Sequence, residues 1–165
     1  MARTLFAIAA AALVFVPAAP ARTIALRWRE TSGPGYPAMT FVVDSVTMTS
    51  SAWSVRAAVT NRSRGDIDII TEPSPYLPYR FGLFLPDGHL RPGLPETLTR
   101  DTSWRGATSL APQPPAVLRR GDTWRGRFAG RGALPRGRLI SVTFGVFASA
   151  QLGDFSWTTA HAFTP

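Results

Sequence analysis

From Met39 onward the chain alternates apolar and polar residues with a period of two, the spacing of a β-strand with one face buried and the other in water. "MTFVVDSVTMTS" (Met39 to Ser50) places Val42, Val46 and Met48 on one face and Thr47 and Thr49 on the other. "AWSVRAAVTN" sends Trp53, Val55, Ala57 and Val59 one way and Ser54, Arg56 and Thr60 the other. Only Ser50 and Ser51 part the two runs, which predicts a hairpin. "IDII" (Ile67 to Ile70) and "YRFGLFL" (Tyr79 to Leu85) predict two further strands, separated by the proline-rich "TEPSPYLPY" and closed by the turn "PDGH". The second of them is apolar on both faces apart from Arg80, the pattern of a strand central in its sheet.

Three more runs follow. "DTWRGRF" (Asp122 to Phe128) puts Trp124 and Phe128 on one face and Arg125 and Arg127 on the other. "RLISVTFGVFA" aligns Ile140, Val142, Phe144 and Val146, and "DFSWTTAHAFT" aligns Phe155, Trp157, Thr159, His161 and Phe163. No helical periodicity appears after the first 21 residues, and Pro and Gly punctuate the chain too often for helices. About seven strands at roughly ten-residue spacing predict an all-β, antiparallel β-sandwich. Leu90 to Pro115 reads as one long connection, the kind of segment on which recognition is commonly carried.

The beginning of the chain reads as an export signal. Arg3 supplies a positive start, Leu5 to Val16 is an apolar run too short to span a bilayer, and Ala19-Pro20-Ala21 is a small-residue cleavage site. The expected organisation is a signal peptide over 1–21, an N-terminal extension over 22–38 and one sandwich domain over 39–165. The mature chain would then carry no transmembrane span and lie outside the cytoplasm, secreted or in a bacterial cell envelope. With no cysteine it has neither a disulfide nor a thiol for lipid attachment, so the core alone must hold it together.

Charge adds a partner class. All basic residues are arginine, and without Arg3 there are 17 of them against 10 Asp and Glu, a net of +7. That sign favours an acidic partner such as an anionic envelope polymer. The arginines are scattered along the sequence rather than clustered, which reads as a preference for arginine over lysine and gives no nucleic-acid signature.

The stretches "VRAAVTNRSRGDIDI", "YRFGLFLPDG", "LRRGDTWRGRF" and "LPRGRLISVTFGVF", in that order, resemble bacterial immunoglobulin-like domains of the type found in the intracellular proteinase inhibitor of bacilli and in secreted domains of unknown function. The resemblance spans roughly Val42 to Phe147, and its motifs are turn and core positions. It implies an immunoglobulin-like or fibronectin-like sandwich and leaves function open. The export signal and the longer loop after Leu90 depart from the inhibitor pattern.

Catalytic constellations are missing from the sequence. His89 and His161 are far apart and fit no metal-ligand spacing, and there is no nucleophile elbow, phosphate loop or cysteine nucleophile. No enzyme activity, metal or other cofactor is expected. Asp66 and Asp68 share a strand face but make a weak cation site by themselves, and read as solvated edge charges. Arg64-Gly65-Asp66, Arg120-Gly121-Asp122 and Asn61-Arg62-Ser63 read as turns rather than as adhesion or glycosylation motifs.

One near-repeat stands out: "DTSWRGA" (Asp101 to Ala107) and "DTWRGRF". Trp124 reads as core, together with Trp53 and Trp157, which leaves Trp28 and Trp104 to face a ligand. The expected function is a non-catalytic binding module whose partner is an unknown protein or an acidic envelope component. Its surface would be built from the proline-rich stretch and the long loop, with Tyr76, Tyr79, Arg100, Trp104 and Arg105 as contact residues. The alternatives are a proteinase inhibitor using an extended loop, and a carbohydrate- or polyanion-binding module using Trp104 with Arg100 and Arg105. Nothing in the sequence sets the oligomeric state.

Overall fold

The computed structural model describes residues 20–71, 80–85 and 104–165. Residues 1–19 of the segment read as an export signal, Tyr76, Tyr79, the stretch "PDGH" with His89, and Arg100 lie outside the described residues. The described residues form eleven strands and no helix. In chain order these are β1 (Arg22–Thr31), β2 (Met39–Met48), β3 (Ala52–Asn61), β4 (Ile67–Ile70), β5 (Gly82–Phe84), β6 (Trp104–Gly106), β7 (Ser109–Ala111), β8 (Val117–Leu118), β9 (Thr123–Arg131), β10 (Ile140–Ser149) and β11 (Gly153–Phe163).

They make two antiparallel sheets packed face to face. The first runs β1-β2-β3-β9-β7. In the second, β4 and β5 pair with successive parts of one edge of β10, at Val146–Ala148 and Ser141–Thr143, while β11 pairs along its other edge from Ile140 to Ser149; β8 extends β4 and β6 extends β5. Residues 104–118 therefore visit the second sheet, the first and the second again. The last part of the expected connection, Leu90 to Pro115, thus holds β6 and β7. Residues 22–31, within the segment read as an extension, form β1, which is paired with β2 over most of its length.

Interlocked aromatic rings fill the space between the sheets. From the first sheet, Phe41 lies 5.0 Å from Phe144 and 6.0 Å from Phe147 by ring centroids and stacks on Trp157 at 5.3 Å. Phe81, just before β5, reaches Trp124 at 5.2 Å and Phe128 at 5.4 Å. Such pairs add about 0.5 to 1.5 kcal/mol each beyond the area they bury. Trp53, Val55, Ala57 and Val59 face inward from β3, and Trp124 and Phe128 from β9, as their alternation dictates. Trp53 is so enclosed that its Nε1 has no hydrogen-bond partner among the described residues.

Where a strand carries a bulge, simple alternation fails. On β2 the inward residues are Met39, Phe41, Val43, Val46 and Met48, whereas Val42, expected among them, points outward. The extra residue is Asp44: Val43 pairs with Ala57 and Ser45 with Arg56, so the pleat changes phase there. On β10, Phe147 joins the core cluster and Val146 does not, because one residue is inserted between Phe144 and Phe147 relative to β11. Gly145 sits at that irregularity, and Phe81 lies against its bare backbone, 2.4 Å from where a Cβ would stand. On β11, the register slips between Thr158 and Ala162, which swings His161 out of the row it was expected to share with Phe155 and Phe163; its side chain is 54% exposed.

Trp53→Ala and Trp124→Ala are each expected to lower stability by about 3 to 5 kcal/mol, because both empty a fully enclosed site. Urea unfolding midpoints check this; a loss under about 1 kcal/mol for either would contradict the packing described.

Candidate functional site

Of the expected contact residues, Trp104 and Arg105 are described, and they lie on opposite sides of one strand. Trp104 and Arg105 are neighbours on β6, and neighbours on a strand point to opposite sides. Trp104 is half-buried and pairs with Phe84, on the side of β5 that faces away from the core. Arg105 shares the side of Leu83 and extends toward β9, where its guanidinium lies 2.9 Å from the Cβ position of Gly132.

The near-repeat has a packing explanation. In Trp104-Arg105-Gly106 and in Trp124-Arg125-Gly126 the glycine stands two residues after the tryptophan, hence on the same strand face. Each indole lies flat on that bare backbone: a Cβ on Gly106 would be 2.4 Å from the Trp104 ring, and one on Gly126 would be 2.4 Å from the Trp124 ring. Gly82, paired directly with Gly106, widens the floor beneath Trp104. Trp124 also donates its Nε1–H to the Pro112 carbonyl at 3.1 Å. Both tryptophans cover glycine, so the motif is a strand-packing device.

Trp28 is likewise covered. It packs against the core and stacks on the His161 ring at 5.5 Å with 24° between the planes. Beside it lies a residue that the sequence reading passed over, Glu30. Its side chain is only 9% exposed, and it reaches from the edge strand of the first sheet to the edge strand of the second. One oxygen accepts from Trp157 Nε1 at 3.2 Å and Ala160 N at 3.1 Å; the other accepts from His161 N at 3.1 Å and pairs with His161 Nδ1. The signal was available, since Ile24, Leu26, Trp28 and Glu30 alternate on one face, with an acid standing where an apolar residue is expected.

The turns hold no ligand group in reserve. Asn61 is fully buried; its Nδ2 donates to the Gly65 and Leu118 carbonyls at 2.8 Å each, and its Oδ1 accepts from Ser63 N and Ser63 Oγ. Gly121 adopts φ +88°, and Asp122 closes its turn by accepting from Arg119 N at 3.1 Å. Asp66 and Asp68 are exposed, and no group of three or more potential metal ligands occurs among the described residues.

What remains is the outward face of the first sheet. Register brings together arginines that look scattered in sequence. Arg56 of β3 stands directly opposite Arg127 of β9, and Arg125 lies two residues along β9 on the same face. Arg29 of β1 shares the row of Arg125, across Val42 and Ala58. These four are exposed, and the other positions in their two rows are Val, Ala and Ser. Asp44, at the β2 bulge, is the acid this face carries among the described residues. Comparison of the chain with protein-family models, with curated proteins and with solved structures found no match.

Two outcomes follow from these contacts. Glu30→Ala strips the β11 edge of its acceptor and is expected to cost about 1.5 to 3 kcal/mol, read as a lower unfolding midpoint and faster amide exchange at Ala160 and His161. Gly126→Ala drives a methyl into the Trp124 ring and is expected to cost about 1 to 3 kcal/mol, with a changed near-ultraviolet circular dichroism band from the displaced indole.

Proposed function

We propose that this chain is an exported, non-catalytic binding module of a bacterial envelope, immunoglobulin-like in type, which holds an acidic partner on the outward face of its first sheet. Two antiparallel sheets with alternating inward residues make the sandwich that the immunoglobulin-like reading requires. Cleavage after Ala21 would release a chain whose first residue, Arg22, is also the first of β1. The observation that carries the functional reading is the cross-strand cluster of Arg56, Arg125 and Arg127, whose partners across the strands, Ser45, Ala58 and Ala111, are uncharged, with Asp44 at the β2 bulge the acid on this face among the described residues. The Glu30 carboxylate, bound to Trp157, Ala160 and His161, is on the other side of the sheet. A field of one sign over a flat surface concentrates polyanions and speeds their capture.

Capture of envelope components by the mature chain tests this. The Arg56→Gln/Arg125→Gln/Arg127→Gln variant is expected to lose most capture, wild-type capture is expected to fall as salt shortens the Debye length from about 10 Å toward 3 Å, and Tyr76→Ala is expected to capture normally. Retention by the triple variant with loss by Tyr76→Ala would transfer recognition to the proline-rich stretch and overturn the reading.

A further inference from the structure

Resting on that reading, a narrower one concerns the chemistry of the acid. Arg56 and Arg127 occupy opposite positions on adjacent antiparallel strands, with Cβ atoms about 5 Å apart in such pairs, and Arg125 stands about 7 Å along β9. Like charges directly opposite one another oppose sheet formation. Their neighbours in the row are Ser45 on one side and Ala111 on the other, both small and uncharged, and Asp44 beside Ser45 is one acid against the three arginines. Ala58, between Val42 and Arg125, is also small, and is 2% exposed although it points away from the core. Three exposed arginines thus stand around a stretch of small residues.

We infer that Arg56, Arg125 and Arg127 bind the phosphate of a base-free phosphodiester polymer. A guanidinium presents two parallel N–H donors, and one carboxylate, planar and with two oxygens, is satisfied by a single such fork. A tetrahedral phosphate spreads its charge over oxygens that point in different directions, so forks arriving from two strands share it without competing for one plane. Arg29, three strands from Arg125 and about 14 Å away, extends the positive track across the sheet for a further phosphate of the same chain. Nucleic acid fits this face poorly. Sheets that bind single strands stack bases on exposed aromatic rings, whereas the rows around these arginines carry Val, Ala, Ser and Thr.

The experiment measures binding of the mature full chain to poly(glycerol phosphate), to poly-glutamate of matched length and charge, and to a single-stranded DNA oligonucleotide, at several salt concentrations. The expected order is poly(glycerol phosphate) tighter than either competitor by about tenfold or more. Arg56→Gln/Arg127→Gln should lower that affinity and reduce the slope of log K against log salt by about two. The same variant should unfold at the same or a higher temperature than the wild type, because a repelling pair has been removed; a merely structural pair would move stability and leave binding unchanged. Equal affinity for poly-glutamate would reject phosphate recognition while leaving an acidic partner standing. DNA binding as tight as poly(glycerol phosphate) would reject the base-free polymer. Binding of none of the three would remove both this inference and the acidic-partner reading, and full affinity in the double variant would remove the assigned site.

Discussion

Phe41, Phe81, Phe128, Phe144 and Phe147 interlock between the sheets, with centroids 5.0 to 6.3 Å apart in the contacts that link them. Without a disulfide, the two layers are joined chiefly by this apolar contact, and its geometry dictates much else. Rings of this size need room, and the chain makes it by leaving glycine beneath them. Gly145 receives Phe81, Gly126 receives Trp124 and Gly130 receives Trp53, each with a ring atom closer than 2.5 Å to the position a Cβ would take. The sequence "WRG" is thus half of a packing unit. On β9 its arginine, Arg125, is carried to the outward face by the same alternation that buries Trp124; on β6 the sides are exchanged, with Trp104 away from the core and Arg105 on the side of Leu83.

Alternation made β3 and β9 legible from residues alone, because neither is bulged along its pairing with the other: Trp53, Val55, Trp124 and Phe128 lie inward and Arg56, Arg125 and Arg127 outward. Bulged strands were legible as strands but not as faces. One inserted residue at Asp44 turned Val42 outward, and another near Gly145 exchanged Val146 for Phe147. A bulge leaves no mark on composition, so periodicity runs straight through it. The cross-strand register was hidden for a related reason. Arg56 and Arg127 lie far apart in the chain, and only the pairing of Val55 with Phe128 sets them opposite one another. Trp104 was misleading in a different way, since the glycines that receive it, Gly82 and Gly106, come from two strands of which one is remote in sequence.

The outward face illustrates how a sheet tolerates a locally unfavourable arrangement. Repulsion between Arg56 and Arg127 is offset by the inward side of the same strands, where Val55 and Phe128 are both fully enclosed. Stability is gained on one side of the pleat and spent on the other. Such an arrangement persists only where the core margin is wide, and the aromatic packing supplies that margin.

The Glu30 carboxylate joins the first strand to the last across 131 residues of sequence. A chain that leaves a ribosome or a membrane channel does so amino end first, so β1 emerges long before the backbone donors that Glu30 requires. Pairing with β2 can form early, but the bonds to β11 must await Ala160 and His161. One edge strand of the first sheet is therefore paired early in synthesis and fastened to the second sheet late.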